Sequence, residues 1–386
     1  MNEIDRRDFL MMGSAGAAAL GMAGREGEEA ATGVDPDLPV RLYGDGLALE
    51  PGEYASELAR LAAAGKTEPD NYSIGGCVEE LEREMAKQLG KERAVFFATG
   101  TLANQIAVRV LAGDNRRVLV QEESHLYNDS GDCCQTLSQL HLIGLVPGEA
   151  TFTLEQVQTE IERASSGRVR TPIGAISIES PVRRLWGQVF DYEEMARISA
   201  YAREQGIGMH LDGARVFLAE PYTGVAPAEY AALFDTVYVS LWKYFNATSG
   251  AILAGPAELL DGLYHQRRMF GGSLPAAWVL AAMANHYQQG FRERFRAAVA
   301  RSEGLFDRLE EHPRLAVERV PEGTNVAKLG VEAGDLAGFR DRLTDRGVQL
   351  SEQLADGSGF KIQVNETWMR LSSDQLMTRF DDALGG

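Results

Sequence analysis

From about residue 71 onward, short apolar runs alternate with stretches in which apolar residues recur every three or four positions. The second pattern predicts helices. Val78, Leu81, Met85 and Leu89 share one face of a helix over 77–89, which Gly90 ends. Further helices are predicted over 102–111, 153–164 and 192–205, and one long helix runs from Pro275 to about Leu309. The first pattern predicts strands at 94–97, 117–121, 139–146, 173–179, 207–212, 236–240 and 250–254. The run IGAISIE at 173–179 is apolar almost throughout, as a strand covered on both faces must be. After Pro313 the texture changes to shorter strands, at 316–320, 325–329, 360–364 and 369–372, with helices at 336–346 and 374–384.

Strand-helix alternation of this kind predicts an α/β fold. A large domain at 40–275 holds a mostly parallel sheet, and 276–386 holds a long connecting helix and a smaller C-terminal α+β domain. With 45% hydrophobic and 24% charged residues the 386-residue chain has ordinary globular composition. Its net charge of −18 disfavours contact with phosphate backbones, so no nucleic-acid partner is expected. Cys77, Cys133 and Cys134 are too few for a disulfide framework and read as buried small apolar residues; no metal site is expected.

The first segment, residues 1–31, carries Arg6-Arg7-Asp8-Phe9-Leu10 and then a Gly/Ala-rich apolar run. This resembles a twin-arginine export signal and implies a periplasmic or otherwise extracytoplasmic protein exported already folded. The run is too short and too rich in small residues for a stable membrane anchor.

In open α/β sheets ligands gather at the carboxyl ends of the strands. The polar residues there are Thr99-Gly100-Thr101, His125, Glu179, Asp212 with Arg215 close by, Ser240 and Lys243. Each alone has an ordinary explanation, such as a loop residue, a helix cap or a solvated charge. Standing together at successive strand ends, they match the needs of pyridoxal 5'-phosphate. Lys243 supplies an amine for the cofactor aldehyde. Asp212 supplies a carboxylate to keep the ring nitrogen protonated, which makes the ring an electron sink. His125 supplies a flat group over the ring. Gly100 and Thr101, with Ser240, supply an anion cradle at a helix N-terminus.

Four stretches carry a resemblance to the threonine aldolase and β-eliminating lyase family of fold-type-I pyridoxal-phosphate enzymes: FFATGTLANQIA, HLDGARVFLA, VSLWKYFNATSGAILAG and RRMFGGSLPAAW. The family pattern His-x-Asp-Gly-Ala-Arg stands at 210–215, and Lys243 follows at the family's distance. The resemblance implies that Lys243 is the Schiff-base lysine and Asp212 the ring-nitrogen partner. It implies that Gly100 and Thr101 contact the phosphate and that His125 stacks on the ring. Arg215 and Arg370 then hold the substrate carboxylate, a task that suits planar guanidinium groups. Arg268 or Arg267 reaches the phosphate in a neighbouring subunit of a homodimer or homotetramer with shared active sites. The implied activity is a lyase on β-hydroxy-α-amino acids that releases glycine and an aldehyde, with His125 as base and Glu179 as second candidate.

Departures from the family pattern lie on the substrate side. Gly44-Asp45 stands for Ser-Asp, and Tyr72-Ser73-Ile74-Gly75 for Tyr-Gly-Asp-Asp. Glu179-Ser180-Pro181-Val182 stands for Glu-Asn-Thr-His, and Trp242 and Tyr244 flank the lysine. β-Elimination, racemisation and transamination in the same pocket are therefore rival activities, and a non-catalytic exported binding protein is a rival of another class.

Overall fold

The run IGAISIE folds into a strand, Ile173–Glu179, that is buried along its whole length. In this computed structural model, which describes residues 38–385, it belongs to a seven-stranded sheet. In chain order the strands of the molecule are β1 (Val40–Arg41), β2 (Arg93–Phe97), β3 (Arg117–Gln121), β4 (His141–Leu145), β5 (Ile173–Glu179), β6 (Gly208–Asp212), β7 (Thr236–Ser240) and β8 (Ala251–Gly255). The C-terminal part adds β9 (Leu315–Arg319), β10 (Val326–Val331), β11 (Val348–Gln349) and β12 (Phe360–Gln363). The large sheet has the order β2-β8-β7-β6-β5-β3-β4. Strands β3 to β7 pair in parallel, and β8 alone runs against its two neighbours. The carboxyl ends of β2, β3, β5, β6 and β7 consequently share one edge of the sheet.

The helix Gly100–Ala112 packs against β5 to β8, with Ile106, Ala107 and Val108 buried. The helix Tyr192–Gln205 starts where Asp191 accepts the Glu194 N–H (2.7 Å) and stops at Gly206 with φ +66°. A second sheet, β12-β10-β9, is antiparallel, and Phe339, Phe360 and Phe380 pack beneath it. Strand β1 pairs in parallel with β11, so the chain leaves the C-terminal strands before it enters the large sheet. The three cysteines are free and buried. Among the described residues no helix is long and apolar enough to cross a membrane. The twin-arginine segment lies outside the described residues.

Two predicted elements differ from the structure. The single connecting helix over 275–309 is two helices, Trp278–Gln288 and Phe291–Glu311. Gly290 sits between them at φ +65°, a left-handed conformation open to glycine but costly for other residues. Arg294 Nη2 donates to Tyr287 O (2.7 Å), satisfying a carbonyl at the break. The predicted strand 369–372 is replaced by a 3-10 turn, Glu366–Arg370. Asn365 Oδ1 accepts the Thr367 N–H (3.0 Å) and starts that turn.

Candidate active site

Lys243 follows β7 in a loop that the core holds rigidly. Its neighbours Tyr244 and Phe245 are fully buried and pack on Phe217 and Phe291, with ring centroids 4.6 to 6.2 Å apart. The flanking tyrosine is thus an anchor for the loop rather than part of a substrate pocket. Trp242 is exposed, and the Lys243 ammonium lies 5.2 Å from its ring centroid. From above, the arm after β1 crosses the loop at Gly46. A Cβ there would come within 2.3 Å of Lys243 O and 2.5 Å of Asn246 Oδ1, so only glycine fits. Burial and the nearby Arg215 charge depress the Lys243 pKa to about 8, against the pull of Asp212, Asp45 and Glu179.

Asp212 ends β6, buried. Its Oδ2 accepts from Asn104 Nδ2 (2.6 Å), and its Oδ1 from the Ala214 N–H (3.2 Å). Because the Asn104 amide nitrogen faces Asp212, its Oδ1 faces His210 Nε2 (2.9 Å) and must accept a proton from it. The imidazole therefore carries its hydrogen on Nε2, and Nδ1 accepts from the Thr236 hydroxyl (2.8 Å). Burial lowers the His210 pKa to about 4, so the ring stays neutral. A chain of neutral donors thus fixes one buried carboxylate in place. Sequence reasoning missed Asn104. Its only signal is an Asn-Gln pair, Asn104-Gln105, buried within an otherwise apolar helix.

Glu179 ends β5 next to Asp212 in register. One oxygen accepts the His125 N–H (2.5 Å) and the other the Arg183 N–H (2.9 Å). Burial, with the Asp212 charge, pushes its pKa up to about 7. It acts as a clamp on two loops. The Ser130 hydroxyl donates to the carbonyl of His125 (3.0 Å), which leaves its lone pairs facing Nδ1 of the same residue (3.4 Å). In the neutral tautomer with hydrogen on Nδ1, that contact becomes a hydrogen bond and Nε2 is an acceptor.

Arg215 donates to Asp45 through Nε (2.9 Å) and Nη2 (2.8 Å). Burial opposes the Asp45 charge, but Arg215 outweighs it and holds the carboxyl below its usual range. Asp45 also accepts from Gln363 Nε2 (3.2 Å) of β12. This arm residue entered the sequence reading only as a neighbour of a departure; here it is the ion-pair partner of a site arginine.

The helix Gly100–Ala112 opens with Thr99, whose hydroxyl caps the Leu102 N–H (3.3 Å). The N–H groups of Gly100 and Thr101 have no acceptor within the helix. Tyr238 presses on this turn: a Cβ on Gly100 would come within 2.0 Å of the Tyr238 hydroxyl oxygen. Ser240 is fully buried at the end of β7. Arg267 is buried and donates to Phe96 O and to Tyr72 O (3.4 Å), so it braces the fold. Arg268 is exposed, its guanidinium 5.1 Å from the Tyr72 ring centroid. Arg370 is buried in the 3-10 turn and donates to Pro39 O at the start of the β1 arm.

The structure therefore gathers Lys243, Asp212, Glu179, Arg215 and Asp45 into one electrostatic cluster, bounded by the backbone of His125. This donor set fits pyridoxal phosphate: an amine with a depressed pKa, a buried and supported carboxylate, and an open helix N-terminus for a phosphate.

Residues 56–331 match the Beta-eliminating lyase family. The low specificity L-threonine aldolase of Saccharomyces cerevisiae is 32% identical over 206 residues, which are 53% of this chain and 52% of that protein. The chain thus aligns with about half the length of that relative, and of the low-specificity L-threonine aldolases of Candida albicans and Eremothecium gossypii. A solved structure from Listeria monocytogenes, assigned as an L-allo-threonine aldolase, is 31% identical with a TM-score of 0.74. It covers 90% of this chain and 96% of its own. An Exiguobacterium structure, assigned as an aromatic amino acid β-eliminating lyase/threonine aldolase, is 26% identical with a TM-score of 0.75, over 91% of this chain and 98% of its own. The chain belongs to the β-eliminating lyase family and has its fold-type-I architecture.

Proposed function

We propose that this protein is a pyridoxal-phosphate-dependent lyase that cleaves the Cα–Cβ bond of a β-hydroxy-α-amino acid to glycine and an aldehyde. The observation that carries the reading is the Lys243–Asp212 pair, one amine whose pKa burial and Arg215 depress to about 8 and one buried carboxylate that accepts from Asn104, itself oriented by His210. When bound, the cofactor supplies an electron sink for the bond that breaks. Lys243 holds the cofactor until a substrate amine displaces it. Asp212 keeps a proton at the ring nitrogen. The N–H groups of Gly100 and Thr101, with the Ser240 hydroxyl, hold the phosphate. Arg215, steadied by Asp45, and Arg370 orient the substrate carboxylate, which sets which Cα bond faces the ring. His125 Nε2 takes the β-hydroxyl proton.

Val182 stands where the family has a histidine, so proton removal rests on His125 in this chain. We infer also that the protein is exported through residues 1–31 and assembles as a homodimer or homotetramer. Tyr72, Ile74 and Met269 are exposed apolar side chains, and Tyr72 lies beside Arg268, which supports a second copy there. Holoenzyme incubated with threonine or allo-threonine should release acetaldehyde and glycine, and Lys243→Ala should not. Pyruvate and ammonia from serine, with no acetaldehyde, would replace this reading with β-elimination. Light scattering of the purified protein and fractionation of the producing cells test the assembly and the export.

A further inference from the structure

Strand β12 sorts its side chains by alternation. Phe360 and Ile362 are buried in the core of the C-terminal sheet, and Lys361 and Gln363 share the opposite face. Gln363 reaches Asp45 and through it Arg215. Lys361 stands two residues along, about 7 Å away on the same face. There its ammonium lies 5.2 Å from the centroid of the Trp186 ring. The electrostatic neighbours of Lys361 are Arg215, Asp45 and Arg183, so it borders the site cluster itself.

Trp186 is held there on purpose-built backbone. It adopts φ +56°, a left-handed conformation that is costly for a bulky residue, and it ends the turn Arg183–Leu185. The loop is pinned on both sides: Val182 N–H donates to Gln188 O (2.7 Å), Gly187 N–H to Val182 O (2.9 Å), and the Thr324 hydroxyl to Gly187 O (3.0 Å). The other cations of this rim are spoken for. Arg183 and Arg184 pair with Asp129, and Arg215, steadied by Asp45, is assigned to the α-carboxylate. Among the described residues Lys361 has no carboxylate within ion-pair distance, although it is half-buried and faces the repulsion of two arginines. A cation held so, with an aromatic plane beside it, is a receptor for an anion that arrives with a ligand.

We propose that Lys361, backed by Trp186, receives a second, distal carboxylate on the substrate, so that the preferred substrates are β-hydroxy-α-amino acids whose β-substituent ends in an acid. This rests on the lyase reading. For β-hydroxyaspartate the Cα–Cβ bond breaks and its electron pair stays with Cα. The β-hydroxyl proton leaves to the base, Cα takes up a proton, and the products are glycine and glyoxylate. Arg215 and Arg370 are occupied by the α-carboxylate, and the phosphate cradle is on the helix Gly100–Ala112, so the distal acid has Lys361 to itself.

The test compares β-hydroxyaspartate with threonine on the holoenzyme, in wild type, Lys361→Met and Lys361→Arg. The ratio of kcat/KM for the acid over threonine should exceed one in wild type. It should fall roughly 10- to 100-fold in Lys361→Met, the size of one charge-assisted hydrogen bond, mainly through KM, and recover in Lys361→Arg. An equal loss on both substrates would overturn the proposal, because Lys361 would then serve the α-carboxylate or the fold. A second readout does not need cleavage: spectral titration of the holoenzyme with aspartate against alanine. Aspartate should bind more tightly, and Lys361→Met should erase the difference. If that holds while no β-hydroxy amino acid is cleaved, the lyase reading fails and the acid subsite stands. If threonine is cleaved and aspartate binds no better than alanine, the subsite fails and the lyase reading stands.

Discussion

The most informative perturbation is the removal of one proton from Lys243. Burial and Arg215 place its pKa at about 8, against an ordinary 10.5. At pH 7 the neutral amine is then about 10% of the population rather than about 0.03%, a gain of roughly 300-fold in the form that attacks an aldehyde. The rate at which apoprotein takes up pyridoxal phosphate, followed at about 420 nm, should rise tenfold per pH unit and level off near pH 8. Stability carries the same number with a definite sign. The folded pKa lies below the unfolded one, so the unfolded chain binds more protons between about pH 8 and 10.5, and apoprotein stability rises with pH across that window. Below pH 8 the buried ammonium costs about 3 kcal/mol. Lys243→Met should therefore make the apoprotein more stable at pH 7 by up to that amount, and the gap should close as pH passes 10.5. A plateau in the uptake rate only above pH 10, or a Lys243→Met apoprotein no more stable than wild type, would refute the electrostatic reasoning.

Other substitutions probe the supports. Asn104→Leu leaves Asp212 Oδ2 and His210 Nε2–H buried without partners, each at about 1–3 kcal/mol, and equilibrium dialysis should show cofactor affinity at least 10-fold weaker. Gly46→Ala drives a methyl group into Lys243 O and Asn246 Oδ1, which costs about 1–3 kcal/mol of overpacking; calorimetry should show a lower Tm, and an unchanged Tm would mean the arm does not lie on the lysine loop. Glu179→Gln cannot accept both the His125 and Arg183 N–H groups through equivalent oxygens, so kcat should fall with little change in cofactor binding.

The large sheet was legible because its central strands are buried on both faces and leave unbroken runs such as IGAISIE and TVYVS. The Asp212 and Lys243 positions were legible because a strand must end where its apolar run ends, and their spacing matches a family motif. What escaped the sequence was made by contacts between distant residues. Asp45 meets Arg215 across 170 positions, and β1 and β11 are two residues each, too short for any periodicity to register. Asn104 hides within an apolar helix, where a buried polar residue has a reason only once Asp212 faces it. The break at Gly290 was readable in principle, but the apolar spacing continues across it and masks the glycine.

The two halves of the site differ in how far they keep to the family pattern, and the structure gives a physical reason. On the cofactor side every group acts through fixed geometry: an amine on a loop anchored by aromatic packing, a carboxylate fixed by Asn104, a helix N-terminus capped by Thr99. The lysine loop and Asp212 cannot move without losing a buried partner. On the substrate side, position 182 has passed from chemistry to architecture. Val182 is fully buried, and both its N–H and its carbonyl are spent on the turn that carries Trp186. The histidine of the family pattern would have to bury a polar ring at that position. Polarity lost from the β5 loop is supplied instead from the C-terminal sheet, where Gln363 steadies Asp45 and Lys361 lies against Trp186. On the proposal that Lys361 receives a distal acid, substitutions in β12 should change which amino acid is accepted before they change whether the cofactor is held.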